Sequence, residues 1–592
     1  MNPFETKTPE QNSAQEVVDL FVDVFADFYQ VLENGHTFLN GPRGSGKSMM
    51  FRYMLPDCQR IVTHKYFNEL EYFSLYIPIK LTNISLTELS RLENQSDTIL
   101  NEHILVTHFL STALKSIADI VGEELNSYTE DITKFFKSFK WYVELSGYNF
   151  PEREICRMTG VELVHFMAEI VDKMKLECLF YCKQIALAID VAPYRGSLVD
   201  FIDFMLPILK ELKKVSIFPK DKPFFILVDD AGYLNKAQTM ILNSWVSYRT
   251  TKDICLKIST QLDYKTYLTS NGKKIDAPHD YSEINIATIY TSPNGRYFEK
   301  IQKIVEKRIK YYLDIEYVDV EDFFPEDKEQ ERRICEIADE LRSKNFDPER
   351  SYAGGDAARR YARSEFIKEL KKGLSAPTYS YAGFRQLVAI SSGIIRHFLA
   401  SAQMMYSEAL ALNTTSSKIK CIPAKIQNEM IRKYSERFLF DDFDKRLKGT
   451  EGVKSQNAVK LFKLIDNLGQ LFHKLLISDC SERRVFSVAL TDSPDEELAQ
   501  ILELGVQEGY LQMNTIGNKK GTGKVRLYIL SRVLAPQFTL DPLGFAGYQY
   551  MESNVLKAAY NNPKAFFSHF QKKIQAKDIE TLDLFNYNNE GM

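Results

Sequence analysis

The segment GPRGSGKS at residues 41–48 constrains the fold of this chain more than any other stretch of its sequence. It follows a short apolar run, HTFLN, and precedes MMFRYML, whose spacing predicts a helix. Gly41, Gly44 and Gly46 let backbone N–H groups converge, because no Cβ blocks the conformations required. A strand, a glycine-rich turn and a helix in this order predict a phosphate-binding loop.

The residue types in this loop each have a chemical role. Lys47 places a positive charge on the β- and γ-phosphates, and the Ser48 hydroxyl is a ligand for Mg²⁺. The helix that begins at Lys47 directs the positive end of its dipole at the same anion. The sequence therefore predicts ATP and Mg²⁺ as ligands. The residues expected to hold the nucleotide are Gly41, Pro42, Arg43, Gly44, Ser45, Gly46, Lys47, Ser48 and Met49, together with Thr260 further along the chain.

A second segment, ILVDD at residues 226–230, supplies acidic residues for the same chemistry. The apolar run before the acids is typical of a buried parallel strand. Asp229 suits a magnesium ligand beside Ser48, and Asp230 occupies the position of a water-activating acid. Glutamate is usual there, and aspartate is one methylene shorter. The alternative for both acids is a helix cap or simple solvation.

Two further places are candidates for contact with the γ-phosphate. The predicted strand ICLKIS ends at Ser259, and Ser259, Thr260 or Gln261 can orient water near the phosphate. Arg396 follows Gly393 by three residues at a predicted helix start, where an arginine can touch the γ-phosphate and report its loss. The alternative is a solvated helix arginine. The predicted catalytic residues are Lys47, Asp229, Asp230 and Arg396, and the predicted metal ligands are Ser48 and Asp229.

Composition predicts a cytoplasmic globular protein. Hydrophobic residues make up 44% and charged residues 26% of the chain. The net charge of −4 means that nucleic-acid binding would depend on a local basic patch. We expect no membrane segment, because no run of 18 or more apolar residues and no signal pattern occur. The scattered cysteines lack zinc spacing, and Cys178 and Cys182 are predicted to be buried thiols.

Periodicity predicts an α/β fold with a parallel sheet and a long, mostly helical segment between two of its strands. An amphipathic helix is expected at 15–34, and helices alternate with strands as in a doubly wound domain. The predicted strands are 36–40, 73–81, 223–230, 254–259 and 283–290. The mostly helical segment at about 83–215 is the candidate surface for a trigger or effector, and the alternative is that its aromatic helices are plain core.

From about residue 455 the pattern of predicted helices and strands changes. A helix at 457–478, the strand RRVFSVAL, a helix at 494–508 and two strands joined by GNKKGTGK form the winged-helix pattern. The basic residues at 517–526 are candidates for nucleic-acid phosphates, and the alternatives are a solvated turn or a protein-binding module. These residues are Lys519, Lys520, Lys524 and Arg526. Irregular structure and one helix are expected after 541.

Together these segments resemble the AAA+ ATPases of the origin-recognition and cell-division-cycle initiator type. The resemblance rests on GPRGSGKS, on LVDD with a helix after it, on KIST as the sensor-1 strand, on SGIIR as the sensor-2 helix and on the winged helix. It implies a P-loop ATPase core over 1–300, a helical lid with the sensor-2 region over 301–450, a winged-helix domain over 451–540 and a C-terminal extension over 541–592. Compared with the usual spacing of such a core, the segment at about 83–215 is a large helical insertion.

The segments NPF, LYIPIK, DDAGYLN, NSWVSYR and DYSEINI are similar to a bacterial branch of these ATPases that often occurs in loci suspected of defence against phage. The acid pair is Asp-Asp instead of Asp-Glu, which also resembles the STAND switch ATPases. No arginine lies between the sensor-1 strand and the strand at 283, where AAA+ rings carry the finger that reaches a neighbour's ATP. Arg249 and Arg296 are the substitutes.

Three functions stay open at this point. The first is an ATP-binding and ATP-hydrolysing switch that self-associates and engages a protein effector or trigger, with anti-phage defence as the implied setting. The second is a DNA-binding initiator or loader that uses the winged helix. The third is a non-hydrolysing scaffold with a structural nucleotide.

Overall fold

The computed structural model describes most of the chain. Its described residues are 2–23, 27–79, 89, 94–151, 157–187, 193–248, 252–261, 264–286, 296–344, 351–370, 378–413, 418–441, 443, 445, 453–478, 484–517, 523–544 and 547–575. They form two compact units, which we name by their sheets. The five-strand unit comprises Lys7–Gly41 and Gly46–Ala287, and the four-strand unit comprises Met1–Thr6, Pro42–Ser45 and Thr288–Met592.

The five-strand unit contains the helices and strands that precede the phosphate loop and those that follow it as far as residue 285. Its strands are β1 (Thr37–Asn40), β2 (Phe73–Pro78), β3 (Phe224–Asp229), β4 (Ile254–Thr260) and β5 (Ser282–Asn285). Its helices are α1 (Ala14–Leu20), α2 (Asp27–Leu32), α3 (Lys47–Tyr53), α4 (Pro56–Thr63), α5 (Asn94–Val121), α6 (Thr129–Leu145), α7 (Gly160–Leu187), α8 (Leu206–Leu212) and α9 (Lys236–Ser247).

The sheet of this unit has the order β2-β3-β4-β1-β5, and every neighbouring pair is parallel. All residues of β1, β3 and β4 are buried. A strand that is covered on both faces must be apolar throughout, which explains the continuous run FFILV. The predicted α/β fold with a parallel sheet is therefore confirmed.

The register of the sheet brings three strand ends to one edge. Leu39 of β1 lies opposite Ser259 of β4, and Val228 of β3 lies opposite Ile258. Neighbouring strands are about 4.8 Å apart, so the ends of β1 and β3 are separated by about 10 Å. The phosphate loop after β1 and the acids at the end of β3 therefore leave the same edge of the sheet.

The helices between β2 and β3 share the core of the sheet. Phe109 of α5 packs edge-on against Trp245 of α9, and Phe136 of α6 stacks on Phe166 of α7. The stretch Ser96–Leu145 has the length and apolar composition of a membrane span, but 72% of its most apolar window is buried inside the protein. A core helix has this property. Most of the aromatic side chains of α6 are likewise buried.

The four-strand unit is mainly helical. Its helices are α10 (Arg296–Leu313), α11 (Val320–Phe323), α12 (Lys328–Lys344), α13 (Ser351–Leu370), α14 (Phe384–Ile390), α15 (Ile395–Leu412), α16 (Ala424–Leu439), α17 (Val453–Leu476), α18 (Glu496–Gln507), α19 (Ala535–Phe538), α20 (Ser553–Asn561) and α21 (Pro563–Gln575). Its strands are β6 (Val485–Leu490), β7 (Leu511–Gly517), β8 (Lys524–Leu530) and β9 (Gly547–Met551), in the order β7-β8-β6-β9.

The elements from α17 to β8 follow the predicted order of helix, strand, helix and two strands. β7 and β8 pair antiparallel, with Gly517 opposite Lys524 and Thr515 opposite Arg526. Both cationic side chains are exposed on β8. The predicted phosphate contacts Lys519 and Lys520 lie outside the described residues.

Three local predictions differ from the structure. The helix expected at 15–34 is two helices, because the chain becomes extended at Phe21 after α1. β5 ends at Asn285, and residues 287–290 of that predicted strand lie outside the described part. The expectation of one helix after 541 is wrong. The short segment GYQYM forms β9 by pairing parallel with β6, a long-range partner that local periodicity does not reveal, and two helices follow it.

Candidate nucleotide site

The loop after β1 adopts the backbone that its glycines suggested. Gly44 and Gly46 have φ of +85° and +104°, a region that residues with a Cβ rarely adopt. Gly46 directly precedes α3. The N–H of Gly41 donates to the carbonyl of Thr260 at 3.3 Å, which ties the start of the loop to the end of β4.

Lys47 and Ser48 are the first two residues of α3, as the sequence predicted. Lys47 is buried, with an exposed fraction of 6%, and its Nζ donates to the carbonyl of Gly41 at 2.6 Å. The ammonium therefore contacts the backbone of its own loop. Ser48 is half-buried beside it in the first turn of α3.

Asp229 is the last residue of β3 and is 3% exposed. Its Oδ1 accepts the hydroxyl of Ser259 and, at 3.1 Å, the N–H of Asp230. Its Oδ2 accepts the hydroxyl of Tyr76 at 2.8 Å. A buried carboxylate needs such partners to offset the loss of water. The structure therefore fixes the orientation of Asp229 through both oxygens.

Asp230 has left-handed backbone angles of φ 57° and ψ 41°, unlike the strand residue before it. Its N–H is also 2.9 Å from the Oγ of Ser259. The turn breaks the strand at this point, so the side chains of the two acids do not alternate as they would along β3. Apart from the tolerance of Asp for left-handed angles, no feature of the sequence indicated this turn.

Thr260 belongs to a chain of polar contacts that crosses three strands. Its Oγ1 donates to Oδ1 of Asn40 at 2.7 Å, and Nδ2 of Asn40 donates to Oε1 of Glu283 at 2.6 Å. The carbonyl of Gln261 lies at the same distance from Oγ1 as an alternative acceptor. Asn40 and Glu283 were not predicted as site residues. Asn40 ends β1 directly before the glycine loop, which was a signal, whereas Glu283 is the second residue of β5 and had none.

Arg396 lies against the phosphate loop within the four-strand unit. α15 begins one residue earlier, and the N–H of Arg396 donates to the carbonyl of Gly44 at 3.2 Å. A Cβ added to Gly44 would lie 2.6 Å from the Cβ of Arg396. The approach of the helix therefore requires glycine at position 44. Of the proposed finger residues, Arg296 is exposed at the start of α10, and Arg249 is outside the described residues.

The donor set suits magnesium and not a softer metal. The hydroxyl of Ser48, the carboxylate of Asp229 and the phosphates of a nucleotide are all oxygen ligands, which Mg²⁺ prefers. Within the described ranges, no group of three or more His, Cys, Asp or Glu residues could hold a metal ion. Cys178 and Cys182 are buried, and a hydrogen bond between them, together with burial, raises the pKa of Cys178. Thiols in this state are not metal ligands.

The parallel sheet, the glycine loop between β1 and α3 and the acid at the end of β3 define a P-loop protein of the AAA+ class. The chain belongs to the ORC-CDC6-like family, whose model matches residues 2–549. The predicted family is therefore confirmed. Membership in it implies that the chain binds ATP with a divalent metal.

Two solved structures are similar to the chain over most of its length. One is the crystal structure of Cdc6p from Pyrobaculum aerophilum, with 13% identity, coverage of 96% of this chain and 98% of that chain, and a TM-score of 0.27. The other is the Orc1 protein of Aeropyrum pernix in complex with DNA, with 9% identity, coverage of 90% and 92%, and a TM-score of 0.27. A comparison with curated proteins gave no match. The family assignment rests on the family model.

Proposed function

We propose that this chain is an ATP-hydrolysing AAA+ switch that couples its nucleotide state to assembly with a partner. One observation carries the proposal. The sheet register brings the end of β1, with its glycine loop, and the end of β3, with Asp229, to the same edge about 10 Å apart. A magnesium triphosphate that is held by Lys47 and Ser48 on one side and Asp229 on the other fits this arrangement.

Each proposed residue has one task in phosphoryl transfer to water. Lys47 and the loop N–H groups hold the phosphates, while Ser48 and Asp229 hold the metal, which when bound neutralises charge on the transferred group. Asp230 orients the attacking water, and Thr260 supplies a second polar contact near it. Arg396, whose backbone contacts Gly44, senses the γ-phosphate and reports its loss.

Substitution of Lys47 tests the site. We expect Lys47→Ala to weaken ATP binding at least tenfold, because the ammonium is the main charge on the β- and γ-phosphates. Isothermal titration with a non-hydrolysable ATP analogue and Mg²⁺ measures the affinity. Lys65→Ala, which removes an exposed lysine of the same unit, is the control. Unchanged binding in the Lys47 variant would exclude the proposed site.

A measurement of ATP hydrolysis distinguishes the proposed switch from the alternative of a scaffold with a structural nucleotide. We expect the wild-type chain to release phosphate from ATP, and Asp230→Asn to bind ATP but release phosphate more slowly. A wild-type chain that binds ATP without releasing phosphate, with or without DNA or RNA, would favour the structural-nucleotide alternative.

A second function, nucleic-acid binding, has its own support. The elements α17 to β8 follow winged-helix order, and Lys524 and Arg526 project into solvent beside the basic turn. We propose that this hairpin contacts nucleic-acid phosphates. Replacing Lys519 and Lys520 by Gln should weaken filter binding and reduce the salt slope by about 0.9 per lost contact on duplex DNA. Lys463→Gln, an exposed position on α17, is the control. An unchanged salt slope would exclude the hairpin.

Other aspects of the role stay predictions. The family and the resemblance to its bacterial branch support four of them. These are self-association, a protein effector or trigger, a cytoplasmic location and an anti-phage setting. The three predicted domain boundaries, near residues 300, 450 and 540, belong with them. The NPF segment of that resemblance is structural in this chain, because Phe4 is fully buried against Phe323, Phe324 and Tyr406.

A further inference from the structure

We infer that Tyr76 and Glu10 are positioning residues for the magnesium acid Asp229, with Tyr76 acting as a hydroxyl that changes acceptor when the metal binds. The inference rests on the proposed ATP site. Neither residue belongs to the nucleotide motifs: Tyr76 lies in β2, and Glu10 lies in the single helical turn Pro9–Gln11. Both belong to the five-strand unit.

The three side chains form a row of oxygen atoms. β2 pairs with β3 so that Tyr76 lies opposite Leu227 and Pro78 lies opposite Asp229. The side chain of Tyr76 extends towards the end of β3 and contacts the acid. The Tyr76 Oη is 2.8 Å from Oδ2 of Asp229 and 2.7 Å from Oε1 of Glu10. Both distances are those of ordinary O–H···O hydrogen bonds, so either carboxylate can accept from the hydroxyl.

The row contains one hydroxyl proton and two acceptors. A tyrosine phenol is protonated at neutral pH, because its ordinary pKa is about 10. A phenolic O–H donates to one acceptor at a time. Donation to Asp229 and donation to Glu10 are therefore competing states of the same side chain.

The two states of the Tyr76 hydroxyl suit Asp229 before and after the metal binds, respectively. Its Oδ1 is held by Ser259 in either case, and donation from Tyr76 to Oδ2 fixes the carboxylate before a metal arrives. A divalent cation competes for the lone pairs of the carboxylate and is the largest local charge in such a site. The hydroxyl then has Glu10 as its second acceptor. Partners of this kind around a metal ligand typically change affinity by about 10–100-fold when they are removed.

Metal affinity in the nucleotide complex tests this role. The probe is Mn²⁺, titrated by electron paramagnetic resonance into the full chain saturated with a non-hydrolysable ATP analogue. We expect Tyr76→Phe to weaken Mn²⁺ binding by about tenfold or more. Tyr72→Phe is the matched control, because it removes a buried hydroxyl of the same segment that has no hydrogen-bond partner among the described residues. It should bind Mn²⁺ like the wild type.

Substitutions of Glu10 separate positioning from plain charge. Glu10→Ala should weaken Mn²⁺ binding, and Glu10→Gln should restore it, because the amide oxygen still accepts from Tyr76. In the Tyr76→Phe background, Glu10→Ala should have no further effect. Equal weakening by Gln and Ala, an effect of Glu10→Ala that persists without the hydroxyl, or wild-type affinity in Tyr76→Phe would each overturn the inference. Failure of the wild-type chain to bind the analogue would instead reject the proposed ATP site. Melting temperatures without nucleotide report whether each variant folds.

Discussion

At the scale of single residues, the site depends on positions that tolerate little change. Gly44 combines a positive φ with a backbone contact to Arg396, and Gly46 combines a positive φ with the start of α3. The positive φ at both positions was predictable from the GPRGSGKS pattern, because glycine adopts such angles readily, whereas the backbone contact between Arg396 and Gly44 was not. The partners of Asp229 were not predictable. Tyr76 and Glu10 are far from it in sequence, and nothing in their own segments points to an acid.

A buried histidine gives the five-strand unit a pH dependence that the sequence did not suggest. His36 precedes β1, and its Nδ1 accepts the N–H of Leu256 at 3.0 Å. Burial, with the charge of Lys257 second, lowers the pKa of His36 to about 4. Between pH 4 and the ordinary value near 6.5, the unfolded chain binds the proton and the folded chain does not. The free energy of unfolding therefore falls as the pH decreases through this window.

We expect His36→Gln to reduce this loss of stability. Between pH 7 and pH 5 the wild-type chain should lose about 2 kcal/mol more unfolding free energy than the variant. Denaturant titrations at the two pH values measure the difference. His165→Gln, at an exposed position on α7, should keep the wild-type pH dependence. An identical pH dependence in His36→Gln would show that this imidazole does not contribute to the loss of stability.

At the scale of elements, strands with a strong local signal were predicted and those fixed by distant partners were not. The apolar run of β3 and the acids after it identify a buried parallel strand without further information. β9 is short and pairs with β6 across a long stretch of sequence, so its own residues carry a weak signal. The break between α1 and α2 is also a tertiary effect, because the apolar spacing continues through it.

The polar link between β4 and β1 is a testable property of these elements. Thr260→Val removes the hydroxyl that donates to Asn40 but keeps a similar shape, so the strands should stay paired. We expect the kcat for ATP hydrolysis to fall about tenfold with little change in KM, because the contact matters for water near the γ-phosphate and not for binding. Steady-state phosphate release measures both constants.

Thr239→Val is the control for that substitution. Thr239 is buried in α9, and its hydroxyl donates to the carbonyl of Asn235, the residue before that helix. The Thr239→Val variant should have the wild-type kcat, apart from any loss of folded protein. A rise in KM with unchanged kcat in Thr260→Val would assign Thr260 to nucleotide binding.

At the scale of the whole molecule, the order of motifs predicted the family, and the family model confirms it across residues 2–549. The order of the motifs was sufficient to predict the family because each motif has its own chemical role at an ATP site. These motifs are the glycine loop, the acid pair, the polar strand end and the helix that begins near an arginine. The long helical segment between β2 and β3 separates the loop from its acid in sequence but not in space, because parallel pairing through β4 aligns both strand ends. The identity of the partner has no comparable local signature.

The most direct test of this account is a crystal structure of the chain with a non-hydrolysable ATP analogue and Mg²⁺. We predict that the phosphates lie along residues 41–48, that Ser48 coordinates the metal and that the carboxylate of Asp229 faces it directly or through a water molecule. A nucleotide bound elsewhere, or a metal site that Asp229 does not face, would contradict the central claim.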